Sequence, residues 1–409
     1  MNENGLTDGA DAGGATVNIE KLVYGGEGLA RLNGQVVLAP FVLPGERVSV
    51  RIERVNTGLL RGSDQQILQP SPDRVEPRCE YFGTCGGCHY QHASYELQVA
   101  QKCSILRETL QRLGGVSYEG EIGTISGEPW FYRNRIQLHF AEKRSGFHRA
   151  GSHELCAIDH CYISSPALVA VIAKINEAVS RPEWPAFLRS LEVFTNGTQV
   201  QLNIVDTTRP VAARFFDFCD TFLPNVARGP LIYPSGDFNF RISRGSFFQV
   251  NRFLIEALMN EVIRNDEGST AIDLYAGVGL FSLPLARRFR DVYAVERGAS
   301  GFRDLEANAD EHDLPVQARK LPAEDFLRTV EQPPDLVVAD PPRAGLGREA
   351  TNELLRIRPR NIALVSCDPS TLARDVKKLL AHYRIERLTM VDLFPQTYHF
   401  EAVVHLARM

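Results

Sequence analysis

The fold of the C-terminal half is decided by the stretch Thr270-Ala271-Ile272-Asp273-Leu274-Tyr275-Ala276-Gly277-Val278-Gly279. It begins with the apolar pattern of a strand and ends in a glycine-containing turn. From residue 253 onward, helical patterns alternate with strand patterns over 270–274, 291–295, 336–339 and 362–365, and two more strands close the chain. Because parallel strands need crossover helices, this alternation predicts a doubly wound, Rossmann-like parallel sheet over residues 246–409.

Two smaller regions precede this sheet, so the chain is predicted to be an α/β multidomain protein. Short strand-like runs over 17–22, 35–39, 46–54 and 65–69, separated by Gly-containing turns, predict a small OB-like β-barrel over 15–70. The polar, Gly-rich residues 1–14 predict a disordered tail. Residues 71–245 have the mixed pattern of a central α+β domain, and a helical segment over 92–118 is expected to pack on the C-terminal domain.

The composition restricts the class of protein. The chain has 409 residues, of which 44% are apolar and 23% are charged, as in globular proteins. No run approaches the roughly 20 apolar residues that cross a bilayer, and the N-terminus lacks a signal-peptide pattern. A cytoplasmic location without a membrane partner is therefore expected. The formal net charge of −5 means that any nucleic-acid surface must be a local basic patch.

The glycine turn predicts a ligand site, because open α/β sheets bind ligands at the carboxyl ends of their strands. Gly277 and Gly279 would let the backbone approach a ligand, and Asp273 would accept hydrogen bonds from turn amides. Glu296 ends the next strand, where an acidic residue commonly binds ribose hydroxyls. The third glycine of the dinucleotide fingerprint is replaced by Ser282, so the pattern favours a nucleoside cofactor other than NAD.

A cysteine stands at the end of the fourth strand pattern. Cys367 follows the apolar run 362–365, and Pro369 begins a helical pattern. Proline is favoured in the first turn of a helix, and a helix N-terminus lowers the pKa of a nearby thiol. Cys367 is therefore a candidate nucleophile with a favoured thiolate. A small buried thiol at a strand end explains the same position equally well.

Three further cysteines lie close together in Cys79-Glu80-Tyr81-Phe82-Gly83-Thr84-Cys85-Gly86-Gly87-Cys88. Glycine tolerates φ > 0, so this loop can wrap a metal, either zinc or an iron–sulfur cluster, with a fourth ligand from elsewhere. Eight cysteines in a cytosolic chain argue for metal or catalytic roles rather than disulfides. Cys103, on a helical face, and Cys219, in an aromatic segment, are predicted to be packing thiols.

Together these motifs resemble the RNA uracil-C5-methyltransferase family. The matching segments are Phe248-Gln249-Val250-Asn251, 273–279, Asp340-Pro341-Pro342-Arg343-Ala344-Gly345, 366–375 and Thr397-Tyr398-His399-Phe400-Glu401. The resemblance covers nearly the whole chain, because the N-terminal barrel is similar to the TRAM domain fused to many members. One position departs: this chain has Leu280 where many relatives carry an asparagine that offers a polar cofactor contact.

The resemblance implies transfer of a methyl group from S-adenosylmethionine to C5 of a specific uridine. It assigns Cys367 as the nucleophile that adds to C6 and Glu401 as the base that removes the C5 proton. The implied cofactor contacts are Gln249, Tyr275, Gly277, Gly279, Glu296 and Asp340. The implied ligands of a [4Fe–4S] cluster are Cys79, Cys85, Cys88 and Cys161, with Cys156 as the competitor for the fourth place.

Residues 131–151 are the predicted RNA-binding surface. Aromatic and basic residues are interleaved there: Phe131, Tyr132, Phe140 and Phe147 among Arg133, Arg135, Lys143, Arg144 and Arg149. This pattern is typical of single-stranded RNA binding, in which rings stack on bases and cations contact phosphates. A half-buried strand with a solvated face gives the same pattern.

Barrel and cluster together look more like the 23S rRNA enzymes than the minimal tRNA enzymes, so a monomeric enzyme acting on 23S rRNA is the expected form. A tRNA uracil-C5-methyltransferase is the alternative target class. Two further alternatives are an RNA-binding iron–sulfur protein without methyl transfer and an amino-methyltransferase that uses Asp340-Pro341-Pro342 and needs no cysteine. For Glu401, the alternative is a salt-bridged carboxylate on an edge strand.

Overall fold

A computed structural model describes residues 14–54 and 58–409 of the chain. The tail predicted over 1–14 lies outside the described residues, except for Gly14, which begins the first strand. None of the helices within the described ranges combines the length and the apolarity that a bilayer crossing requires. Three larger sheets and one hairpin organise this part of the chain.

The N-terminal region forms the first sheet. Its strands are β1 (Gly14–Asn18), β2 (Lys21–Leu22), β3 (Glu27–Leu32), β4 (Gln35–Pro40), β5 (Arg47–Arg54) and β6 (Leu59–Gln69), in the order β1-β5-β6-β4-β3-β2. Val37, Val42 and Val48 belong to a separate apolar core on this sheet. The sequence pattern does not predict β3, because Gly28 interrupts it. A Cβ at Gly28 would meet Val42 Cγ2 at 2.5 Å, so close packing requires the glycine.

The chain then crosses to the C-terminal domain. Helix α1 (Tyr95–Thr109) continues into a π-helical turn (Leu110–Gly114), and β7 (Gly123–Ile125) joins the edge of the C-terminal sheet. Lys102 of α1 forms a fully buried ion pair with Asp392 of the C-terminal domain at 2.6 Å. The predicted helical segment therefore contacts the C-terminal domain, and β7 lies outside the central region to which the sequence assigned it.

The second sheet is antiparallel and belongs to the central region. Its strands are β8 (Arg135–Ala141), β9 (Arg144–His148), β10 (Leu155–Ala157), β11 (Leu188–Thr195) and β12 (Val200–Thr207), in the order β10-β9-β8-β11-β12. Helices α2 (Pro166–Ala178) and α3 (Arg214–Asp220) pack their apolar residues into the core of this sheet. The arrangement is α+β.

A hairpin of β13 (Leu231–Ser235) and β14 (Phe238–Ile242) follows. Its residues Tyr233 and Phe240 share an apolar core with Leu258 and Val338 of the C-terminal domain. The domain boundary predicted at residue 246 therefore assigns the hairpin to the central domain, although the hairpin packs on the core of the C-terminal domain.

The C-terminal domain contains the third sheet. Its elements are α4 (Ile255–Ile263), β15 (Gly268–Leu274), α5 (Ser282–Leu285), β16 (Phe289–Val295), α6 (Ala299–Glu311), β17 (Val316–Arg319), α7 (Ala323–Arg328), β18 (Leu336–Ala339), α8 (Gly347–Ile357), β19 (Asn361–Ser366), α9 (Pro369–Leu379), β20 (Tyr383–Val391) and β21 (Glu401–Arg408). The strand order is β17-β16-β15-β18-β19-β21-β20-β7. Strands β15 to β19 are parallel, whereas β21 is antiparallel to both β19 and β20. The predicted doubly wound parallel sheet is confirmed.

The strand order reverses between β15 and β18, because the chain leaves β15 towards β16 on one side and reaches β18 on the other. Loops diverge at such a switch point and leave a crevice at the carboxyl ends of the strands. Leu274, Ala339 and Ser366 end the adjacent strands β15, β18 and β19. The residues that follow them therefore face one crevice.

Candidate active site

A cavity of about 900 Å³ lies at this crevice. The predicted site residues that border it are Gln249, Tyr275, Gly277, Glu296, Asp340, Cys367 and Glu401. They come from the loops after β15, β16, β18 and β19, from the start of β21 and from the segment before α4. The topology thus gathers into one cavity residues that are widely separated in the sequence.

The loop after β15 has the backbone conformation of a ligand-binding turn. Tyr275 has a φ of 62°, which is strained for a bulky residue. Gly277 has a φ of 56° and donates its N–H to Glu296 Oε2 at 2.9 Å. Gly298 donates its N–H to the other oxygen of the same carboxylate. These two amides fix Glu296 at the end of β16, where its remaining lone pairs can accept ribose hydroxyls.

Gly279 does not border the cavity. Its φ is +95°, and a Cβ there would meet Leu305 Cδ1 of α6 at 2.8 Å, so the glycine is required for packing. Leu280 is buried in the core beneath the loop and offers the cavity no polar group. Asp273 accepts its hydrogen bonds from Ser282, at the start of α5, rather than from the turn amides that the sequence suggested. Burial raises the pKa of Asp273 to about 7.

Cys367 borders the cavity, but the following helix does not activate its thiol. The N-cap of α9 is Asp368, whose carboxylate accepts the N–H groups of Ser370 and Thr371, each at 2.9 Å. The amides that would stabilise a thiolate are therefore engaged by the neighbouring side chain.

The surroundings of Cys367 disfavour the thiolate. Burial and the Glu401 carboxylate raise the pKa of the thiol to about 11, with a further contribution from Asp340, while the Arg343 guanidinium opposes this rise. The prediction of a thiolate favoured by the helix N-terminus was therefore wrong. The sequence shows the helix start, but it does not show the two carboxylates that the sheet brings to the thiol.

Glu401 begins β21 and is buried beside Asp340. Strand β21 lies between β19 and β20, so the alternative of an edge-strand carboxylate does not hold. Its Oε2 atom has no hydrogen-bond partner within the described part of the chain. Burial and the Asp340 carboxylate raise the pKa of Glu401 well above its usual range, and burial raises that of Asp340 to about 7. A buried carboxyl with raised basicity and one oxygen without a partner among the described residues is suited to proton transfer with a ligand in the cavity.

Sequence reasoning missed three aromatic residues at or beside this site, one of which, Phe394 after β20, borders the cavity. Phe247 borders the mouth of the cavity with 64% of its surface exposed. Phe247 directly precedes the family segment that contains Gln249, so the sequence did mark this part of the chain. Tyr24, from the loop after β2, donates its hydroxyl to the carbonyl oxygen of Cys367 at 3.1 Å, and its ring packs edge-on against Tyr398. Tyr24 has no local signal, because it reaches the site from the N-terminal sheet.

A second cavity, of about 390 Å³, collects the predicted metal ligands. The cysteines at its border are Cys79, Cys85, Cys88 and Cys161, which form no disulfides. Three other thiols do not border it: Cys156 is buried in β10 behind Cys85, Cys219 is buried in α3, and Cys103 contacts the Thr124 hydroxyl from α1. Gly86, Gly87 and His89 border both cavities, so the cysteine loop forms part of the wall of the active-site cavity.

The four thiols differ from a site for one ion. Among residues 14–54 and 58–409, no three His, Cys, Asp or Glu side chains are arranged to hold a single metal ion. Four cysteine thiols that border one cavity are the kind of donor set that a [4Fe–4S] cluster requires. Gly87 donates its N–H to Cys85 Sγ at 3.4 Å, a type of contact that tunes cluster sulfurs. The cluster stays a prediction.

The region predicted to bind RNA, 131–151, is largely a half-buried sheet. Tyr132 is fully buried, and Phe140 and Phe147 pack on the core of the central sheet. The Arg135 guanidinium lies over the Phe194 ring at 4.2 Å and is itself largely buried. The alternative given in the sequence analysis, a half-buried strand, therefore explains why these aromatic residues and Arg135 occur here.

The crevice, the strained glycine turn, the acidic strand end and the cysteine are together typical of an α/β enzyme that transfers a group from a nucleoside cofactor. Residues 231–409 match the protein family described as tRNA (Uracil-5-)-methyltransferase, and residues 15–63 match the TRAM domain. The N-terminal sheet thus corresponds to the predicted TRAM-like region.

Similar proteins extend this match over nearly the whole chain. An uncharacterised RNA methyltransferase of Streptomyces coelicolor is 34% identical over 95% of this chain and 92% of its own length. The 23S rRNA (uracil(1939)-C(5))-methyltransferase RlmD of Shewanella woodyi is 31% identical over 95% and 94%. The crystal structure of Pyrococcus abyssi tRNA (uracil-54, C5)-methyltransferase in complex with S-adenosyl-L-homocysteine has a TM-score of 0.75 and 27% identity, and covers 96% of this chain and 100% of that one.

The chain therefore belongs to the RNA uracil-C5-methyltransferase family and is an S-adenosylmethionine-dependent enzyme that acts on RNA. This membership removes two alternatives left by the sequence, the RNA-binding protein without methyl transfer and the amino-methyltransferase.

Proposed function

We propose that the enzyme methylates C5 of one uridine in 23S rRNA through a covalent bond between Cys367 and C6. One observation carries the chemistry: Cys367, Glu401 and Asp340 border the same cavity as the glycine turn after β15. A nucleophile, a base and a cofactor loop thus face one space that is large enough for a base beside a nucleoside.

Cys367 starts the reaction. Uracil C5 is a weak nucleophile, and addition of the thiolate at C6 forms an S–C6 bond and moves the electron pair of the C5=C6 bond towards C5 and O4. The thiol must first lose its proton, which its raised pKa disfavours in the free cavity. We assign this proton to the Asp340 carboxylate, which borders the same cavity, so that Glu401 is free to accept the C5 proton later; Arg343 supplies positive charge that favours the thiolate.

S-adenosylmethionine supplies an electrophilic methyl group to C5 when it is bound. The residues placed to hold it are Gln249, Tyr275, Gly277, Glu296 and Asp340. Glu296, fixed by two backbone amides, would accept the ribose hydroxyls. Gly277 leaves the loop without a side chain. The position that a Cβ would occupy is open space, with no atom within 4 Å.

Glu401 completes the reaction. After the methyl group has been transferred, C5 carries both a methyl group and a proton. Glu401 accepts this proton, the C–H electron pair re-forms the C5=C6 bond, and the Cys367 sulfur leaves C6. The burial that raises the pKa of Glu401 increases its strength as a base, and its free Oε2 has no competing hydrogen-bond donor among the described residues.

The four thiols of the second cavity are proposed to hold a [4Fe–4S] cluster, with Cys161 as the fourth ligand. The support is that all four border one cavity, whereas Cys156 does not. The cluster would fix the loop at Gly86, Gly87 and His89, which also borders the active-site cavity. Methyl transfer involves no net electron transfer, so no catalytic step is assigned to the cluster.

Two similarities bear on the RNA target. The RlmD relative, whose name specifies 23S rRNA, is 31% identical and matches over 95% of this chain and 94% of its own length. The tRNA enzyme of known structure is 27% identical and matches over 96% of this chain and 100% of its own. We propose 23S rRNA as the substrate, since the higher identity and the predicted cluster both favour it, and keep tRNA as the second candidate.

Mass mapping of 5-methyluridine in 23S rRNA and tRNA from a deletion strain tests this target. We expect one uridine of 23S rRNA to lose its methyl group and to regain it with the wild-type gene but not with Cys367→Ala. Loss of 5-methyluridine from tRNA alone would assign the second candidate instead.

A further inference from the structure

A groove of about 330 Å³, here called the arginine groove, lies where the β13–β14 hairpin meets helix α6. It is bordered by Arg228, Arg241, Ser243, Arg244, Ser300 and Arg303, together with Gly229 and Pro230. Four guanidinium groups around one depression are unusual in a chain whose formal net charge is −5. No motif in the sequence marks this groove, because its arginines are spread from residue 228 to 303.

The charges in the groove are only partly compensated. Arg228 is paired with two carboxylates, Asp217 at 2.7 Å and Asp220. Arg244 and Arg303 donate only to backbone carbonyl oxygens in the described structure, at 3.3 and 3.2 Å. Two of the four arginines therefore lack a carboxylate partner within the described residues.

The one buried carboxylate at the groove is shared among several donors. Asp304 accepts Ser243 N–H at 2.7 Å, and the hydroxyls of Ser243 and Ser246 at 2.6 Å each. Its contact with Arg241 Nε is longer, at 3.4 Å, and almost half of the Arg241 side chain is exposed. The Arg241 charge is thus only weakly neutralised, and the groove keeps a positive surface.

The groove is separated from the active-site cavity by a thin wall. Ser246 and Ser300 form this wall through a hydrogen bond of 2.7 Å between their hydroxyls. On one side Ser300 borders the groove, and on the other side Phe247 and Gly298 border the cavity. The exposed Phe247 ring, which follows Ser246 of the wall, borders the cavity that holds Cys367.

We propose that the arginine groove binds backbone phosphates of the RNA strand next to the target uridine. The proposal rests on the proposed function, because it takes the nucleotide in the cavity to be part of an RNA strand. Guanidinium groups bind phosphate oxygens through paired hydrogen bonds, and an exposed ring beside them is the usual partner for an unstacked base. Within 131–151, Arg133 borders the active-site cavity, but Tyr132 is buried and Phe140 and Phe147 pack on the central core, so this region offers fewer free rings.

Arg303→Gln and Arg241→Gln test the proposal, since both side chains are solvent-exposed and neither borders the active-site cavity. Arg290→Gln is the matched control: its side chain is 77% exposed and lies near the opposite end of β16 from Glu296. The affinity for a 23S rRNA fragment is measured over a range of salt concentrations, together with the affinity for S-adenosylmethionine and the steady-state constants for methylation.

Each groove variant should bind the RNA roughly tenfold more weakly, the loss expected for one charge-assisted contact. The slope of log K against log salt should fall by about 0.7 per lost phosphate contact, the value for single strands. KM for RNA should rise while kcat and the affinity for S-adenosylmethionine stay at wild-type values. An RNA with uncharged methylphosphonate linkages beside the target should bind wild type and Arg303→Gln equally weakly.

The proposal is overturned if the groove variants keep the RNA affinity and salt slope of Arg290→Gln while wild type methylates the RNA. A parallel loss of affinity for S-adenosylmethionine would also overturn it, because the arginines would then support the fold of the cavity. Absence of methylation by wild type on any RNA would instead contradict the proposed function itself.

Discussion

The Tyr24 hydroxyl donates a hydrogen bond to the carbonyl oxygen of Cys367 at 3.1 Å, although the two residues are 343 positions apart. Tyr24 belongs to the N-terminal sheet region and Cys367 to the C-terminal domain. Burial raises the pKa of Tyr24 far above its usual range, so the hydroxyl is a neutral donor at physiological pH. The N-terminal region therefore fixes the backbone that carries the proposed nucleophile.

Tyr24→Phe should slow methyl transfer while leaving the fold intact. Loss of one neutral hydrogen bond costs about 0.5–1.5 kcal/mol, which corresponds to a roughly two- to tenfold lower single-turnover rate. The rate at which iodoacetamide alkylates Cys367 should also differ between Tyr24→Phe and wild type. Tyr118→Phe is the control, because its hydroxyl donates to the Glu121 carbonyl oxygen at 3.4 Å, away from the cavity. Equal rates for both variants would show that Tyr24 does not position the nucleophile.

Alkylation of Cys367 should increase steeply with pH. The thiol pKa is about 11, so the thiolate fraction rises about tenfold per pH unit between pH 7 and 9. Arg343 lowers this pKa, so Arg343→Gln should raise it and slow alkylation at pH 8 roughly two- to fivefold. Mass spectrometry of the Cys367 peptide separates it from the other thiols, and Arg290→Gln is the control. A rate that levels off near pH 7 would contradict the raised pKa.

Anaerobically purified protein should contain about four irons per chain, the content of one cubane cluster. Serine substitutions of Cys79, Cys85, Cys88 and Cys161 should each lower the iron content, because all four border the second cavity. Cys156→Ser is the matched control, since Cys156 is buried in β10 outside that border. The measurement is the content of iron and acid-labile sulfide in each purified variant. Stoichiometric zinc without iron would exclude the cluster.

Glu401→Gln should transfer one methyl group and then stall as a methylated covalent complex. Glutamine keeps the size of the side chain but does not accept a proton at neutral pH, and removal of a general base costs about 10²–10⁴-fold in rate. A denaturing gel with radiolabelled methyl groups should show label on the protein–RNA complex. Asp237→Asn, whose carboxylate is 81% exposed, is the control. Release of methylated RNA at the wild-type rate would remove Glu401 from the mechanism.

The sequence predicts the C-terminal sheet well because its strands are buried, continuous apolar runs. The runs predicted over 270–274, 291–295, 336–339 and 362–365 agree with β15, β16, β18 and β19 to within two residues at either end. The short elements β17 and α7 were missed, since four to six residues carry too little periodicity. Strand β3 was missed because Gly28, which packing requires, breaks the strand pattern.

The site was predictable as far as its residues follow strand ends. Sequence order alone places Glu296, Asp340 and Cys367 at the crevice, but it does not show their electrostatics. The thiol pKa was predicted in the wrong direction because burial and the Glu401 carboxylate raise it, while Asp368 engages the helix amides that would have lowered it. Tyr24 and the arginine groove were beyond sequence reasoning, since only tertiary packing brings their parts together.

In the proposed mechanism, Cys367 forms a covalent bond to C6 of the target uracil. Incubation of wild-type enzyme and S-adenosylmethionine with an RNA carrying 5-fluorouridine at the target tests it most directly, because fluorine at C5 cannot leave as a proton. We expect a denaturant-resistant protein–RNA complex whose mass includes one methyl group and whose cross-linked peptide contains Cys367. Cys367→Ala should form no such complex. A complex that still forms with Cys367→Ala, or a cross-link mapped to another residue, would contradict the assignment of the nucleophile.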